Sequence, residues 1–412
     1  PGLAPEIAIW PQLLQSAGYE TALIGSWALG GGRDVDLPTQ RGYGEFSGFL
    51  WAVRVSREPA IQFLAPGQVR RSDVRVVDYE KIPGEHYTDE VLTDLAIDFM
   101  RRSASSDKPF ALSVHLWAPH ANTAFPKDFT LPYKDRSWLP LREDDLTWWR
   151  GLRDDGLVFP DPQFPNLDSA RLRRMMREYH SSVHGIDRNI GRLLAFLNDP
   201  NGDGSSDDSI AANTVVIVTS DHGYMMGHHG MWHKGNGRWL TADRRDPVVP
   251  RLYGDDENRT NMFDASLKVP CIVRWPARIS RGLREAGVIT HLDWLPTLAA
   301  IGGTKLDTAQ PVRGTAVAAL AGTASNGEDA VFGQDRKLRM LRSNGWKLVR
   351  HFENPKGDEL YNLEQDPDEK TNLIHDSRAP VVAVLMRLDH ELRSRMKAVG
   401  DPICSDLPMP VE

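Results

Sequence analysis

Apolar residues recur at helical spacing in several stretches of the chain and run unbroken in others. Ile9, Leu13 and Leu14 mark a first short helix that Gly18 stops, and Thr21-Ala22-Leu23-Ile24 follows as a short buried strand. Val91, Leu92, Leu95 and Phe99 give one face of a helix over 88–103, and a strand follows over 109–116. Met175, Tyr179, Val183, Ile186, Ile190 and Leu194 form the stripe of a long helix over 170–198, ended by the Asn-Asp-Pro-Asn-Gly-Asp-Gly run at 198–204. Thr214-Val215-Val216-Ile217-Val218-Thr219 is a continuous β-branched run, the composition of a strand buried on both faces. Val269–Arg274 predicts a further strand and Asp293–Gly302 a short helix.

This alternation of strand and helix, up to about residue 302, predicts an α/β body with a mostly parallel sheet flanked by helices. Residues 120–165 break it. They are rich in Pro, Asp and Trp, show little periodicity, and read as a long surface excursion. Beyond 330 the character changes: 339–342, 346–350 and 359–363 read as short antiparallel strands, and a last helix covers about 378–397. The expected division is an α/β domain over 1–325 and a small α+β unit with an antiparallel sheet over 326–412.

Composition narrows the function. The 412 residues are 41% hydrophobic and 25% charged, which supports a sizeable core. With 49 basic against 56 acidic residues the net charge is -7, so no basic excess exists to meet a nucleic acid backbone. No apolar run approaches the ~20 residues of a membrane span. Cys271 and Cys404 cannot build a disulfide framework and form no CxxC pair. The first residues lack the basic and apolar regions of a signal peptide.

The candidate chemistry clusters at strand ends. Thr219-Ser220-Asp221-His222-Gly223 closes the β-branched run, so Asp221 and His222, both able to bind a metal, project at the carboxyl edge of a sheet. A plain turn held by an Asp side chain reads equally well from these residues alone. Downstream, His228-His229-Gly230-Met231-Trp232-His233-Lys234 supplies imidazoles that suit a metal and an ammonium that suits an oxyanion. Four of the 13 His fall between 222 and 233, a density unusual for a solvated loop. His120 follows Trp117-Ala118-Pro119, past the end of the strand at 109–116. Arg238 suits an anionic substrate, with an ordinary exposed Arg as the default. Asp187 and Arg188 read as a pair on the helix surface, and Asn258-Arg259-Thr260 matches the N-glycosylation pattern.

These blocks resemble the sulfatase family. Gly18-Tyr19-Glu20-Thr21-Ala22-Leu23-Ile24-Gly25-Ser26-Trp27-Ala28-Leu29-Gly30 is similar to its second signature, Gly-Tyr-x-Thr-x-x-x-Gly-Lys-Trp-His-Leu-Gly. Pro119-His120, Tyr179 through Arg192, Ser220 through Lys234 and Asp293-Trp294-Leu295-Pro296-Thr297-Leu298 are similar to later blocks in the same order. So are Trp346-Lys347-Leu348 and Glu359 through Glu369, and the resemblance covers nearly the whole chain. It implies the alkaline-phosphatase-like α/β fold with a small C-terminal α+β subdomain, a divalent cation, usually calcium, and hydrolysis of sulfate monoesters. It implies Asp221 and His222 as metal ligands, and His120 and Lys234 as the groups that hold the sulfate and aid the leaving group. The implied partner is a sulfated small molecule or glycan, and the implied compartment is periplasmic or secreted.

The departures carry equal weight. The family oxidises the Cys or Ser of a Cys-x-Pro-x-Arg or Ser-x-Pro-x-Arg block to formylglycine. No such block stands in these residues; Cys271 and Cys404 sit in other contexts, and formylglycine is not expected at any position. The family's paired aspartates after its first strand are absent too. Ser26 stands where the signature has Lys, and Ala28 where it has His. Asp221 offers calcium oxygen and His222 only nitrogen, so calcium is expected to bind weakly or not at all. A missing first strand would leave apolar edges open, to be closed by a partner chain or a homo-oligomer, by a longer chain or by neighbouring elements. Three readings follow: a sulfate monoester hydrolase whose chain alone has little or no activity, an inactive sulfatase-like binding or assembly protein, and a phosphoester hydrolase of the same superfamily.

Overall fold

The structure is a computed structural model. It describes residues 2–30, 32–50, 60–78, 88–120, 169–226, 228–232, 234–235, 238–239, 260–284, 287–306, 314, 317, 320 and 330–406. The expected excursion over 120–165, with its Trp pair at 148 and 149, lies outside them except for residue 120, as does Asn258.

The five-stranded sheet is built around β1 (Glu20–Ser26). Its neighbours β2 (Glu45–Phe49) and β5 (Phe110–His115) run parallel to it. Two antiparallel strands, β3 (Ala60–Leu64) and β4 (Arg75–Asp78), extend the β2 side. Residues 21–25 of β1 are buried without interruption, as a strand covered on both faces requires. On one face the helix α2 (Thr88–Ala104) packs Val91, Leu92 and Ala96 against Ile24, Phe49 and Ile61. On the other, Leu23 and Phe46 meet Trp27, Leu37 and Tyr43, with Ile9 and Trp10 of the α1 region (Trp10–Ser16) beside them.

The three parallel strands converge tightly at their carboxyl ends. Gly25 has φ +115, and a Cβ there would lie 2.1 Å from the His115 carbonyl oxygen. Opposite it in the register, a Cβ on Gly48 would lie 1.9 Å from the Gly25 carbonyl oxygen. Only glycines let these backbones approach so closely.

The long helix α3 (Ser169–Asn198) measures out the rest of the body. On its last turns, Phe196 and Leu197 pack with Ala22 of β1, Phe110 and Leu112 of β5 and Val216 of β6 (Val216–Thr219), near the start of each strand. Arg188, expected as a partner of Asp187 on the helix surface, instead crosses to Glu90 on the first turn of α2, 2.8 Å away. There, just past the end of β5, the neighbouring Asp89 accepts hydrogen bonds from the N–H groups of Trp117, at 2.6 Å, and Ala118, at 3.0 Å. Further up, the Tyr179 ring lies 5.3 Å from that of Tyr224, just past the end of β6. At ~1.5 Å per residue, these levels are roughly 12 and 13 Å apart along the helix. β5 and β6 therefore run the same way along α3.

β6 differs from its expected environment. Its residues are half-buried rather than enclosed, and it pairs antiparallel with β9 (Cys271–Arg274), where Ile272 is 63% exposed. Among the described residues no strand bonds to its other edge or lies between it and β5.

The C-terminal unit is an antiparallel meander of β10 (Val331–Asp335), β11 (Leu338–Ser343), β12 (Trp346–His351) and β13 (Glu359–Asn362). The short helix α5 (Trp294–Ile301) precedes this sheet in the chain, and Leu341, Leu348 and Leu360 pack against Val381, Leu388, Leu392 and Met396 of the helix α6 (Ala379–Ala398). The sequence reading missed β10, because Gly333, Gln334 and Asp335 dilute its apolar signal.

Two outcomes are expected. Gly25→Ala forces a Cβ into a left-handed position with no room, so it should lower stability by about 3 kcal/mol or more, measured by urea unfolding. For Asp89, burial pushes the carboxyl up from 3.8 to about 6, against the two N–H donors, which pull it down. Because the folded value is raised, this group's contribution to stability is present below about 4 and is lost as pH rises through about 6. The loss is on the order of 3 kcal/mol. Asp89→Asn should shrink the difference in unfolding free energy between acidic and neutral pH by that order. The Trp117 and Ala118 amide resonances should titrate near the same pH in the wild type and not in the variant.

Candidate functional site

The turn after β6 is held from within and from outside. Ser220 Oγ donates to the His222 carbonyl at 2.9 Å, and the His222 N–H donates to Asp221 Oδ1 at 2.9 Å. His222 Nδ1 donates to the Gly223 carbonyl at 2.8 Å, leaving Nε2 facing Asp221 Oδ2 at 3.4 Å. A neutral His222 therefore turns a lone pair toward a carboxylate, an arrangement satisfied by a proton or by a bound cation. Asp221 is the open member, its side chain 82% exposed. From outside, His291 Nε2 donates to the Ser220 carbonyl at 2.8 Å.

Gly223 fixes where this tip sits. Its N–H donates to the Ser266 carbonyl at 2.8 Å, and a Cβ there would lie 2.2 Å from the Ala265 carbonyl oxygen. This glycine allows close backbone approach to the start of α4 (Asp264–Leu267).

The same segment holds Lys234. Asn261 donates its N–H to the Gly235 carbonyl at 2.8 Å, and its side-chain amide reaches the carbonyls of Gly235 at 3.3 Å and Lys234 at 3.4 Å. Beneath lie Met225, Met231 and Phe263 in one buried cluster. His229 stacks on Phe263, with ring centroids 3.7 Å apart. His233 lies outside the described residues.

His120 stands on the loop after β5 that Asp89 grips. Its N–H donates to the Trp117 carbonyl at 2.9 Å, and its ring lies 4.7 Å from the Trp117 ring. Arg238 lies on the two-residue strand β8 (Arg238–Trp239), opposite Trp232 of β7 (Met231–Trp232), and its side chain is outside the described part. At the end of β1, the Ser26 carbonyl accepts a bond from His115 Nδ1 at 2.7 Å; Ser26 is half-buried and Ala28 exposed.

Asp221 and His222 thus touch directly. Lys234 joins them through Asn261–Ser266, and His120 follows the end of β5, which runs the same way along α3 as β6. Asp89, Asn261 and His291 were not singled out from the sequence. An acid in the first turn of a helix is ordinary, and nothing in the sequence marks Asn261 or His291 apart from their neighbours.

The described residues do not by themselves complete a calcium site. Calcium takes about six to eight oxygens. One carboxylate and one imidazole stand together here, and among the described residues no group of three or more His, Cys, Asp or Glu converges to hold a metal.

Comparison with known proteins agrees with this architecture. The sulfatase family profile matches residues 2–304, and a profile of the C-terminal part of N-sulphoglucosamine sulphohydrolase matches residues 256–398. An N-acetylglucosamine-6-O-sulfatase of Bacteroides thetaiotaomicron is 23% identical, over 94% of this chain and 72% of its own length. A choline-sulfatase of Rhizobium meliloti is 24% identical, over 70% of this chain and 51% of its own length. Human iduronate 2-sulfatase is 28% identical, over 60% and 45%. This chain spans about half the length of the last two. A putative sulfatase from Bacteroides fragilis superposes with TM-score 0.64 at 18% identity, covering 99% of this chain and 81% of the other. A protein solved in complex with its substrate, D-glucosamine-2-N,6-O-disulfate, superposes with TM-score 0.65 at 20% identity, covering 97% and 84%. The fold is alkaline-phosphatase-like, with its parallel core and C-terminal antiparallel sheet. On the match over residues 2–304, the chain belongs to the sulfatase family.

Proposed function

We propose that the carboxyl-edge site binds the sulfate group of a sulfate ester, and that these 412 residues by themselves hydrolyse it slowly or not at all. The observation that carries the binding half is the shared anchor: Gly223 and Gly235, next to Asp221–His222 and Lys234, both bond to the Asn261–Ser266 segment. A sulfate ester is a tetrahedral anion. The Lys234 ammonium and a His120 ring N–H are donors suited to its oxygens, and Asp221 with His222 would take part in holding a cation beside it. When bound, such a cation would neutralise oxyanion charge.

The low turnover rests on side chains. No Cys-x-Pro-x-Arg or Ser-x-Pro-x-Arg block stands among these residues. Ser26 carries no charge where the family signature has Lys, and Ala28 offers no hydrogen bond where it has His. Removing one oriented donor from an oxyanion site typically costs about 100- to 1000-fold in rate. The alcohols named for the relatives differ, amino sugar against choline against iduronate, and only the sulfate is common to them. The ligand class proposed here is therefore a sulfated small molecule or glycan. The same facts accommodate a sulfatase-like binding or assembly protein, and turnover separates the two.

Titration with inorganic sulfate, followed by amide NMR, is expected to shift Asp221–Gly223 and Lys234–Gly235 saturably. Lys234→Ala should weaken this binding about tenfold, or ~1.4 kcal/mol. Absence of a saturable shift in the wild type removes the binding reading. An arylsulfate should turn over no faster with the wild-type chain than with a His120→Ala, Lys234→Ala double variant. A rate above that control overturns the low-turnover half, and a preference for aryl phosphate would reassign the chemistry to phosphoesters. In calorimetry, calcium should bind more weakly than about 1 μM.

A further inference from the structure

Lys347 of β12 is fully buried, at 0% exposure, yet it is charged and every neighbour it bonds to lies outside its own strand. Its Nζ donates to the Met262 carbonyl at 3.0 Å, to Glu369 Oε1 at 2.7 Å and to Asp264 Oδ1. The other Glu369 oxygen accepts the N–H of Asp264, the first residue of α4, at 2.6 Å. Glu369 itself has φ +56, a left-handed position for a residue that is not glycine. Its backbone is therefore held off its preferred conformation while its carboxylate bridges the ammonium and the helix start.

Each group reaches the segment 261–266 from the C-terminal side. The opposite side of that segment holds the candidate site: Asn261 bonds the carbonyls of Lys234 and Gly235, and Ser266 accepts the Gly223 N–H. Phe263, between them, stacks under His229 and packs with Tyr361 of β13. A buried ion pair is a poor source of net stability, because desolvation offsets most of the attraction. What it fixes is position: leaving either partner alone in the interior is costly, so the ammonium and carboxylate hold one arrangement.

We propose that Lys347 and Glu369 are positioning residues. By clamping Met262 and Asp264, the C-terminal sheet sets the placement of the Asp221–His222 tip and of Lys234. This rests on the sulfate-binding reading for its consequence, but not for its geometry. Neither residue touches the proposed ligand.

Three variants test it: Glu369→Gln, which removes the charge and keeps a carbonyl acceptor, Lys347→Met, and Leu388→Ala as a control. Leu388 lies in the α6 core of the same unit and makes no contribution to the clamp. Two readouts are taken, hydrogen exchange at the Gly223 and Asn261 amides and the affinity for inorganic sulfate. The clamp predicts that Glu369→Gln speeds exchange at both amides at least tenfold, while the Leu348 and Leu360 amides of the C-terminal sheet stay protected. Sulfate affinity should fall about fivefold or more. Lys347→Met should act in the same direction, and if it fails to fold, Glu369→Gln decides alone. Leu388→Ala should lower the melting temperature and leave both readouts within twofold of the wild type. Equal effects from Leu388→Ala and Glu369→Gln, or unchanged exchange at Gly223 and Asn261 in Glu369→Gln, overturn the proposal. If wild-type protein does not bind sulfate, the function reading fails while the exchange data still decide the clamp.

Discussion

The carbonyl oxygen of Ala265 fills the space where a side chain at residue 223 would begin, and the Ser266 carbonyl takes that residue's N–H. That backbone contact is the constraint on which the site depends. It fixes the tip after β6 to the start of α4 with no intervening side chain to adjust. Since Asn261 ties the Lys234–Gly235 turn to the same segment, two stretches of loop become one body. Backbone hydrogen bonds with close approach are more rigid than side-chain packing, because no rotamer can absorb a displacement. A shift of the segment would move the carboxylate, the imidazole and the ammonium together.

Buried charge is used at junctions rather than spread through the core. Asp89 joins α2 to the loop after β5, and Glu369 joins the C-terminal sheet to α4. Arg339 and Asp401 lock β11 to the segment after α6 inside the C-terminal unit. In the first two, burial raises the carboxyl, to about 6 for Asp89 and about 7 for Glu369, against the donors that favour its ionised form. Such placements cost desolvation energy that an apolar contact would not. They return specificity, because a carboxylate accepting two N–H groups tolerates one register of the loop it holds. Surface pairs such as Arg378–Asp376 have no such role, since solvent screens them.

The periodicity of the chain carried the major helices, the buried β1 and the half-buried β5 to within a few residues, because their apolar patterns are long and unambiguous in period. It carried less at β6. The run at 214–219 has the composition of an enclosed strand, but composition reports what a strand can tolerate and not which neighbours are there. A candidate site could be read where one residue type announces chemistry: Asp221, His222, Lys234 and His120. It was not legible where the function of a residue is to hold another. Asn261 and His291 act through carbonyl groups, Asp89 through amides, and the backbone bears no sequence signature. The partner of Arg188 could not be read either, since it comes from a helix about a hundred residues away in the chain.

The carboxyl edge therefore separates two kinds of investment. Its backbone is expensive: Gly25 at φ +115, Gly48 against it, and Gly223 against Ala265 all give up the stabilisation a side chain would add. Its chemistry at the end of β1 is cheap. Ser26 and Ala28 supply neither charge nor a donor comparable to the Lys and His of the family signature, and ordinary turns would accommodate both. The tight geometry thus stands beside a signature without its Lys and His. On the proposed reading, Lys234, His120 and the Asp221–His222 pair would serve recognition of a tetrahedral anion. Turnover requires in addition a nucleophile and oriented charge at the end of β1. On the proposed reading, binding and catalysis are separable, because different residues would carry them.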